Sequence, residues 1–305
     1  VLVPTYNEEE NLIPLSEKII EQFETELADY DYELIFIDND SKDSTREKIR
    51  GLCRSNPRIK AIFNARNFGQ FSSPYHGLLQ TTGDCTISIC ADFQDPVELI
   101  PIYVREWESG YKIVLGQKTT SKENRLVRAA RNSYYKFMRK NSDVNYLEHV
   151  TGFGLFDREF IEVLRGIDEP RPILRGMIAE LGYSIKLVPY DQQRRRAGKS
   201  SNNIFRYYDA AVQSFTSYTK IGVRLAVFLG LVFTAVSTLT ALGFIVYMLL
   251  NWGTFDIMPF ALELAIFVVV SLQLLFIGIV GEYVLNINSR MKKRPLVIES
   301  ERINF

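Results

Sequence analysis

Cys90-Ala91-Asp92-Phe93-Gln94-Asp95-Pro96 is the stretch on which the fold of this chain turns. It follows Thr86-Ile87-Ser88-Ile89, an apolar run with the character of a buried strand. Pro96 ends the extended segment, and a new periodic segment opens at Glu98 and Leu99. Two carboxylates and an amide therefore gather at the carboxyl end of a strand, the edge where open α/β sheets bind ligands. Asp92 and Gln94 offer hard oxygen ligands that suit Mg2+ or Mn2+, cations held by one or two carboxylates together with substrate phosphates. The turn is a candidate metal site and, through the metal, a seat for the diphosphate of an activated sugar. The plainer reading is a polar turn in which Asp95 caps the next helix.

Upstream, the same pattern repeats. Val1–Val3 is strand-like and runs into Pro4-Thr5-Tyr6-Asn7-Glu8. Residues 9–28 carry Leu12, Leu15, Ile19, Ile20, Phe23 and Leu27 at helical spacing. Tyr32–Ile37 is a second apolar strand, closed by Asp38-Asn39-Asp40-Ser41, and a helix is expected to run from there to about Cys53. A third strand, Ile59–Phe63, leads into Asn67-Phe68-Gly69. Strand and helix alternate, with acidic or amide-rich turns after successive strands, which implies a mostly parallel sheet with helices on both faces. Neither GxGxxG nor GxxxxGK[ST] occurs, which disfavours a dinucleotide-binding domain and a P-loop NTPase.

Downstream, a helix is expected over Pro96–Trp107 and a strand over Lys112–Gln117. Residues 124–140 alternate Arg125, Arg128, Arg131, Lys136 and Arg139 with apolar positions, the pattern of a basic amphipathic helix that lies on an anionic surface or packs on the sheet. Thr151–Asp157 is a Gly-rich strand ending in an acid, and Ile185–Pro189 has the look of an edge strand. Arg194-Arg195-Arg196-Ala197-Gly198-Lys199-Ser200 is a basic Gly/Ser loop whose guanidinium forks match phosphate oxygens. Its competing reading is a solvated linker.

The last third is different in composition. Leu225–Leu250 holds no charge, and Pro259–Leu285 holds only Glu263 and Glu282. Each run exceeds the roughly 20 residues that cross a ~30 Å hydrocarbon core. Lys220 and Arg224 flank one end and Arg290, Lys292, Lys293 and Arg294 the other, while the connecting segment has neither Lys nor Arg. This charge bias places both termini on the cytoplasmic side of a two-helix hairpin. A buried pair of soluble helices is the competing reading, disfavoured by the lengths. The expected organisation is a cytoplasmic α/β domain (1–200), an interfacial helix (201–222), a transmembrane hairpin (223–287) and a cytoplasmic tail (288–305).

Across the 305 residues, 36 Lys+Arg balance 36 Asp+Glu, so no global nucleic-acid signature exists. Three cysteines without CxxC spacing argue against a disulfide framework or a zinc site. Val1 already resembles the end of a strand, and a few preceding residues are expected to be missing.

Taken in order, five motifs resemble those of one family: Pro4–Glu8, Asp38–Thr45, Asn67–Gly69, Ala91–Pro96 and Arg195–Ser200. The family is the GT-A-fold, family 2 inverting glycosyltransferases that act on polyprenyl phosphates, dolichyl-phosphate mannose synthases and bacterial polyprenyl-phosphate glucosyltransferases among them. The resemblance spans nearly the whole chain. It implies a Rossmann-like GT-A domain, a nucleotide-sugar donor (UDP-glucose first) and a polyprenyl-phosphate acceptor at a cell membrane. Carried over residue by residue, Pro4, Tyr6, Glu8, Asp38, Asp40, Asn67 and Asp92 would contact the nucleotide, and Asp92 and Gln94 the metal. Arg195, Lys199 and Ser200 would contact phosphate or acceptor, and Asp157 and Arg195 would be catalytic. Asn39 departs from the family's second adjacent Asp, and Ser201-Asn202 from its Lys-Tyr pair. Gln193 and Arg196 keep the spacing of a polymerising synthase motif, but Ala197 stands where Trp is needed, so single-sugar transfer is expected. Gly278 and Gly281 suit close packing of a second copy. Two other readings remain: a non-catalytic membrane-anchored nucleotide-sugar binder, and a transferase using a lipid hydroxyl.

Overall fold

The computed structural model describes residues 1–120, 150–170, 172–193, 258–291 and 294–305, with scattered single residues between them. The expected basic helix at 124–140, the loop residues Arg195, Lys199 and Ser200, and most of 201–257 lie outside the described residues.

The expected alternation is present: β1 (Leu2–Thr5), α1 (Leu12–Glu24), β2 (Leu34–Asp38), α2 (Thr45–Ser55), β3 (Ile59–Asn64), α3 (Gly69–Leu79) and β4 (Cys85–Ser88). After a short 3-10 turn at Val97–Leu99 come α4 (Ile100–Glu108), β5 (Ile113–Thr120), β6 (Val150–Asp157) and α5 (Arg158–Arg165). α6 (Leu174–Leu181), β7 (Ile185–Asp191), α7 (Met258–Met291) and β8 (Glu299–Ile303) complete the described elements. They build one sheet in the order β7-β5-β6-β4-β1-β2-β3-β8. β1 pairs in parallel with β2 and β4, β2 with β3, and β5 with β7, whereas β6 runs against β4 and β5, and β8 against β3.

β2 is buried along its whole length, as a central strand covered on both faces must be. Alternate residues feed two cores. Phe36, Phe63 and Phe153 pack with Leu15, Ile49 and Tyr103 on one face. Ile35, Ile37 and Phe156 pack with Tyr75, Phe160 and Ile178 on the other. β6 needs one of its two glycines at the β5 crossing: a Cβ on Gly154 would sit 2.6 Å from Leu115 Cδ2 and 2.8 Å from the Val114 carbonyl oxygen, while one on Gly152 would meet nothing within 4 Å among the described residues.

Residues 299–303, expected in a terminal tail, form the edge strand β8 instead. Arg50 grips the Glu301 carboxylate with two N–H groups (3.2 and 2.6 Å), and Asn304 Nδ2 donates to the carbonyls of Cys53 and Ile59 (2.8 and 2.7 Å). A five-residue strand with three charged side chains and one apolar one carries little hydrophobic signal, so its pairing was not legible. Among the described residues alone, no helix is long and apolar enough to cross a membrane. α7 itself runs for 34 residues, but many of its side chains lie outside the described set.

Gly154→Ala is expected to lower stability by about 1–3 kcal/mol through overpacking, with Gly152→Ala nearly neutral. Thermal melting of the two variants beside the wild type checks this.

Candidate functional site

The ends of β1, β2, β3 and β4 open on one edge of the sheet because these strands are parallel. Pro4 lies in β1 opposite Ile37 of β2, and Thr5 opposite Asp38. Three turns at this edge pass through left-handed backbone, at Asn7 (φ 56°), Asp40 (φ 66°) and Phe93 (φ 58°). Asn and Asp tolerate that region, but a bulky Phe there is strained and must be held by its surroundings.

The first two turns are sewn together. Asn7 N–H donates to Ser41 Oγ (2.9 Å), Lys42 N–H to Asn7 Oδ1 (2.8 Å), and Glu8 N–H to Thr45 Oγ1 (2.9 Å). Tyr6 is left exposed. Asp38 is fully buried, and its Oδ2 accepts from Arg46 Nε (2.6 Å) and Ser41 N–H (3.1 Å). Arg46 also donates to the Asn64 carbonyl (2.5 Å) and lies 3.6 Å from Asp40. Asp38 Oδ1 has no partner among the described residues. A buried acceptor left open in this way costs about 1–3 kcal/mol unless a donor reaches it.

The organising turn follows β4. Asp92 is buried, and its Oδ1 accepts the Gln94 N–H (3.1 Å). The basic loop returns onto it: Gln193 N–H donates to Gln94 O (3.1 Å), Arg196 N–H to Asp92 O (3.3 Å), and the Arg196 guanidinium stands 5.3 Å over the Phe93 ring. Two segments a hundred residues apart in sequence thus meet, as the family motifs imply, although Arg195, Lys199 and Ser200 lie outside the described residues. Asp95 does not cap the next helix. Its carboxylate turns inward to accept the Tyr190 hydroxyl from β7. Burial, with the Asp92 charge adding to it, pushes Asp95 up to about 6. Under it, Phe153 packs against Tyr103 and Tyr190, with ring centroids 4.7 and 6.0 Å apart.

Among the described residues, no group of three or more His, Cys, Asp or Glu side chains is placed to hold a metal. Asp92 and Gln94 fit a cation of the Mg2+ or Mn2+ type all the same. A carboxylate and an amide oxygen are hard donors short of a full coordination sphere, which suits an ion that keeps waters and takes substrate phosphates. The buried second acid, Asp95, adds negative charge to the same turn.

Asp157 is not brought to this edge. β6 runs antiparallel to β4 and pairs Asp157 with Cys85, the first residue of β4. The seven positions from Cys85 to Asp92, at ~3.3 Å each, put on the order of 20 Å between the two acids. Asp157 caps α5 through Glu159 N–H (2.9 Å) and accepts from Trp107 Nε1 (2.7 Å) and Lys112 Nζ (3.2 Å). Burial opposes its charge, but the Trp107, Glu159 and Lys112 donors outweigh burial and hold its carboxyl below the usual range. The catalytic role expected of Asp157 is therefore corrected to a structural one. An acid ending a strand looks the same in sequence whichever way the strand runs, and the reversal of β6 sends this one to the far edge.

Arg46 and Tyr190 escaped the sequence reading. Arg46 lies eight residues past Asp38, at the start of α2, and only the fold shows that it turns back. Tyr190 is one residue beyond the expected strand end.

The chain was compared with known proteins. The model of glycosyl transferase family 2 matches residues 1–165. A bactoprenol glucosyl transferase of Shigella phage SfX is 32% identical over 303 residues, covering 99% of this chain and 98% of that protein. A prophage bactoprenol glucosyl transferase homolog of Escherichia coli (strain K12) is 31% identical over 299 residues, covering 98% and 97%. Among solved structures, mannosyl-3-phosphoglycerate synthase from Rubrobacter xylanophilus aligns over 69% of each chain at 16% identity with a TM-score of 0.46, a likeness too slight to carry an argument.

Arg46→Ala is expected to cost about 3 kcal/mol by stranding the buried Asp38 carboxylate, and Arg46→Lys less, both read as denaturation midpoints. Asp157→Asn is expected to lose about 1 kcal/mol at pH 7 while sugar transfer stays within about twofold, since the group lies far from the turn. Because the Asp157 carboxyl is held low, the wild-type advantage is complete above its ordinary value near 3.8 and disappears as the pH falls through the lower folded value. Melting curves of the two proteins should therefore converge in acid.

Proposed function

This chain belongs to glycosyl transferase family 2, and we propose that it moves one glucose from UDP-glucose to a polyprenyl phosphate, with inversion, at the cytoplasmic face of a membrane. The observation that carries this reading is the meeting of the Asp38 turn, the Asp92–Gln94 turn and, at Gln193 and Arg196, the returning basic segment on one edge of the sheet. The names of the bactoprenol glucosyl transferases, which align end to end with this chain, support the sugar and the lipid.

In this reading the buried Asp38, with its open Oδ1, and the neighbouring Tyr6, Glu8, Asp40 and Asn67 receive the nucleoside. Asp92 and Gln94 would hold Mg2+ or Mn2+, which supplies Lewis-acid stabilisation to the departing diphosphate. Arg195, Lys199 and Ser200 belong to a loop tethered at Arg196 and Gln193 to that same turn, and they clamp phosphate. A phosphate monoester has its second pKa near ~6 and is largely dianionic at neutral pH, so its oxygen attacks the anomeric carbon opposite the leaving UDP without a side-chain base. The placement of Asp157 agrees with that chemistry and disfavours a lipid hydroxyl acceptor, which would need a base at the reacting atoms.

The membrane anchor is part of the proposal. Leu262, Ile266, Val270, Ile277, Val284 and Leu285 of α7 are all exposed, and apolar surface on this scale marks a lipid or protein contact. At 1.5 Å per residue, the 34 residues of α7 run to about 50 Å, more than a ~30 Å hydrocarbon core. A side chain at Gly278 or Gly281 would meet nothing within 4 Å among the described residues, which leaves room for a second copy.

The test is transfer of radiolabelled sugar into the lipid phase by the detergent-extracted full chain, with undecaprenyl phosphate as acceptor. Label is expected from UDP-glucose and not from GDP-mannose, lost on chelation, restored by Mn2+ or Mg2+, and reduced at least about 100-fold in Asp92→Asn, the scale of one lost transition-state contact. Nucleotide binding without transfer would instead support the non-catalytic binder.

A further inference from the structure

Asn39 replaces an acid of the family pattern, and its surroundings explain what the amide does. The side chain is nearly buried and makes four hydrogen bonds, its full capacity. Oδ1 accepts from Phe68 N–H (2.8 Å) and Asn64 Nδ2 (3.2 Å). Nδ2 donates to Gly69 O (3.1 Å) and Asn67 Oδ1 (3.1 Å). The orientation of the amide is not arbitrary: the Phe68 N–H can only donate and the Gly69 carbonyl can only accept, so each end of Asn39 is assigned by a backbone group.

That assignment passes to the next amide. Asn67 must meet Asn39 Nδ2 with its oxygen, and the same Oδ1 also accepts the Gly69 N–H (2.9 Å). Its Nδ2 is then the end turned away from the clamp, and among the described residues no protein group accepts from it. Asn67 is exposed, and it lies at the carboxyl edge of the sheet beyond β3, on the same edge as Asp38.

Resting on the donor reading above, we propose that Asn39 is a positioning residue that, together with the Gly69 N–H, holds Asn67 by its oxygen, so that Asn67 presents an N–H donor to an oxygen acceptor of the bound nucleoside diphosphate. An Asp at position 39 has nearly the same shape and no donor. It would face both the Gly69 carbonyl and Asn67 Oδ1 with an acceptor, and the Asn67 amide would be left to the Gly69 N–H alone, so that its N–H would no longer be held toward the nucleotide. The residue that matches the family pattern is thus harmful in this chain.

The experiment measures UDP affinity of the detergent-extracted full chain by calorimetry with Mn2+ present. It compares the wild type, Asn39→Asp, Asn67→Ala and the double variant, with UDP-glucose kinetics alongside. Each single change is expected to weaken UDP binding about 5- to 10-fold, the scale of one lost hydrogen bond. The double variant should match Asn67→Ala within about twofold, because residue 39 acts through residue 67. KM for UDP-glucose should rise more than kcat falls. Unchanged or tighter UDP binding by Asn39→Asp overturns the inference, as do losses that multiply in the double variant, the mark of a general structural defect. A wild type that binds neither UDP nor GDP refutes the donor reading itself and this inference with it, an outcome distinct from wild-type binding that Asn39→Asp leaves unaltered.

Discussion

A carboxylate without solvent contact, Asp38, stands at the end of a central strand and is held by one guanidinium. Arg46 reaches it from the first turn of α2, and the same side chain spans to the Asn64 carbonyl at the end of β3 and approaches Asp40. Removing a charge from water is expensive unless the partner geometry is good, so the ends of β2 and β3 and the start of α2 are tied into one arrangement. Arg46 and Arg50, one helical turn apart, both face the Phe63 ring, at 5.6 and 4.6 Å from its centroid. Arg50 continues to Glu301 of β8. Charge at the proposed nucleoside pocket is thereby connected through one helix face to the last strand of the chain.

The other turn solves a similar problem differently. Asp92 and Asp95 lie close together in a buried place, and among the described residues no guanidinium pairs with Asp95. A hydroxyl from Tyr190 takes its place, which leaves the carboxyl raised toward neutrality. Stability alone would not favour such an arrangement, because a buried acid whose carboxyl is raised on folding costs stability wherever the pH exceeds its ordinary value. The strained backbone at Phe93 points the same way, since strain of this kind collects where a turn must aim particular atoms. Both features agree with the proposal that the turn receives a cationic ligand.

Much of this was legible in the sequence, and the limits have physical reasons. The parallel strands and their acidic ends could be read because buried strands are short apolar runs and the turns after them are polar. Strand order alone implies that the turns carrying Asp38 and Asp92 share one edge, and the parallel pairing of β1, β2 and β4 puts them there. Strand direction was not legible: nothing in Thr151–Asp157 says that it runs against β4, and Asp157 was misplaced for that reason. Arg46, Tyr190 and the hydrogen bond between Asn39 and Asn67 were missed because their roles are tertiary. An amide that spends all four of its hydrogen bonds on a neighbouring loop looks, in sequence, like an acid that has been lost.

The direction of β8 adds a geometric argument. β8 runs antiparallel to β3, with Glu299 opposite Asn64 and Ile303 opposite Ala61. The chain arriving from α7 therefore enters the sheet at the carboxyl end of β3, beside Asn64 and Asn67, and leaves at the other edge. Ala65 N–H bonds to the Ile298 carbonyl (2.9 Å), so pairing begins before the strand itself. Only residues 292–298 separate the end of α7 from β8, a reach of at most roughly 25 Å when extended. If α7 spans a bilayer, this short connection holds the substrate edge toward the membrane, and a lipid phosphate need travel little beyond the headgroup region to meet the Asp92 turn. A parallel last strand of the same length would have tethered the opposite edge, where Asp157 and Trp107 lie, and turned the proposed site toward the cytosol.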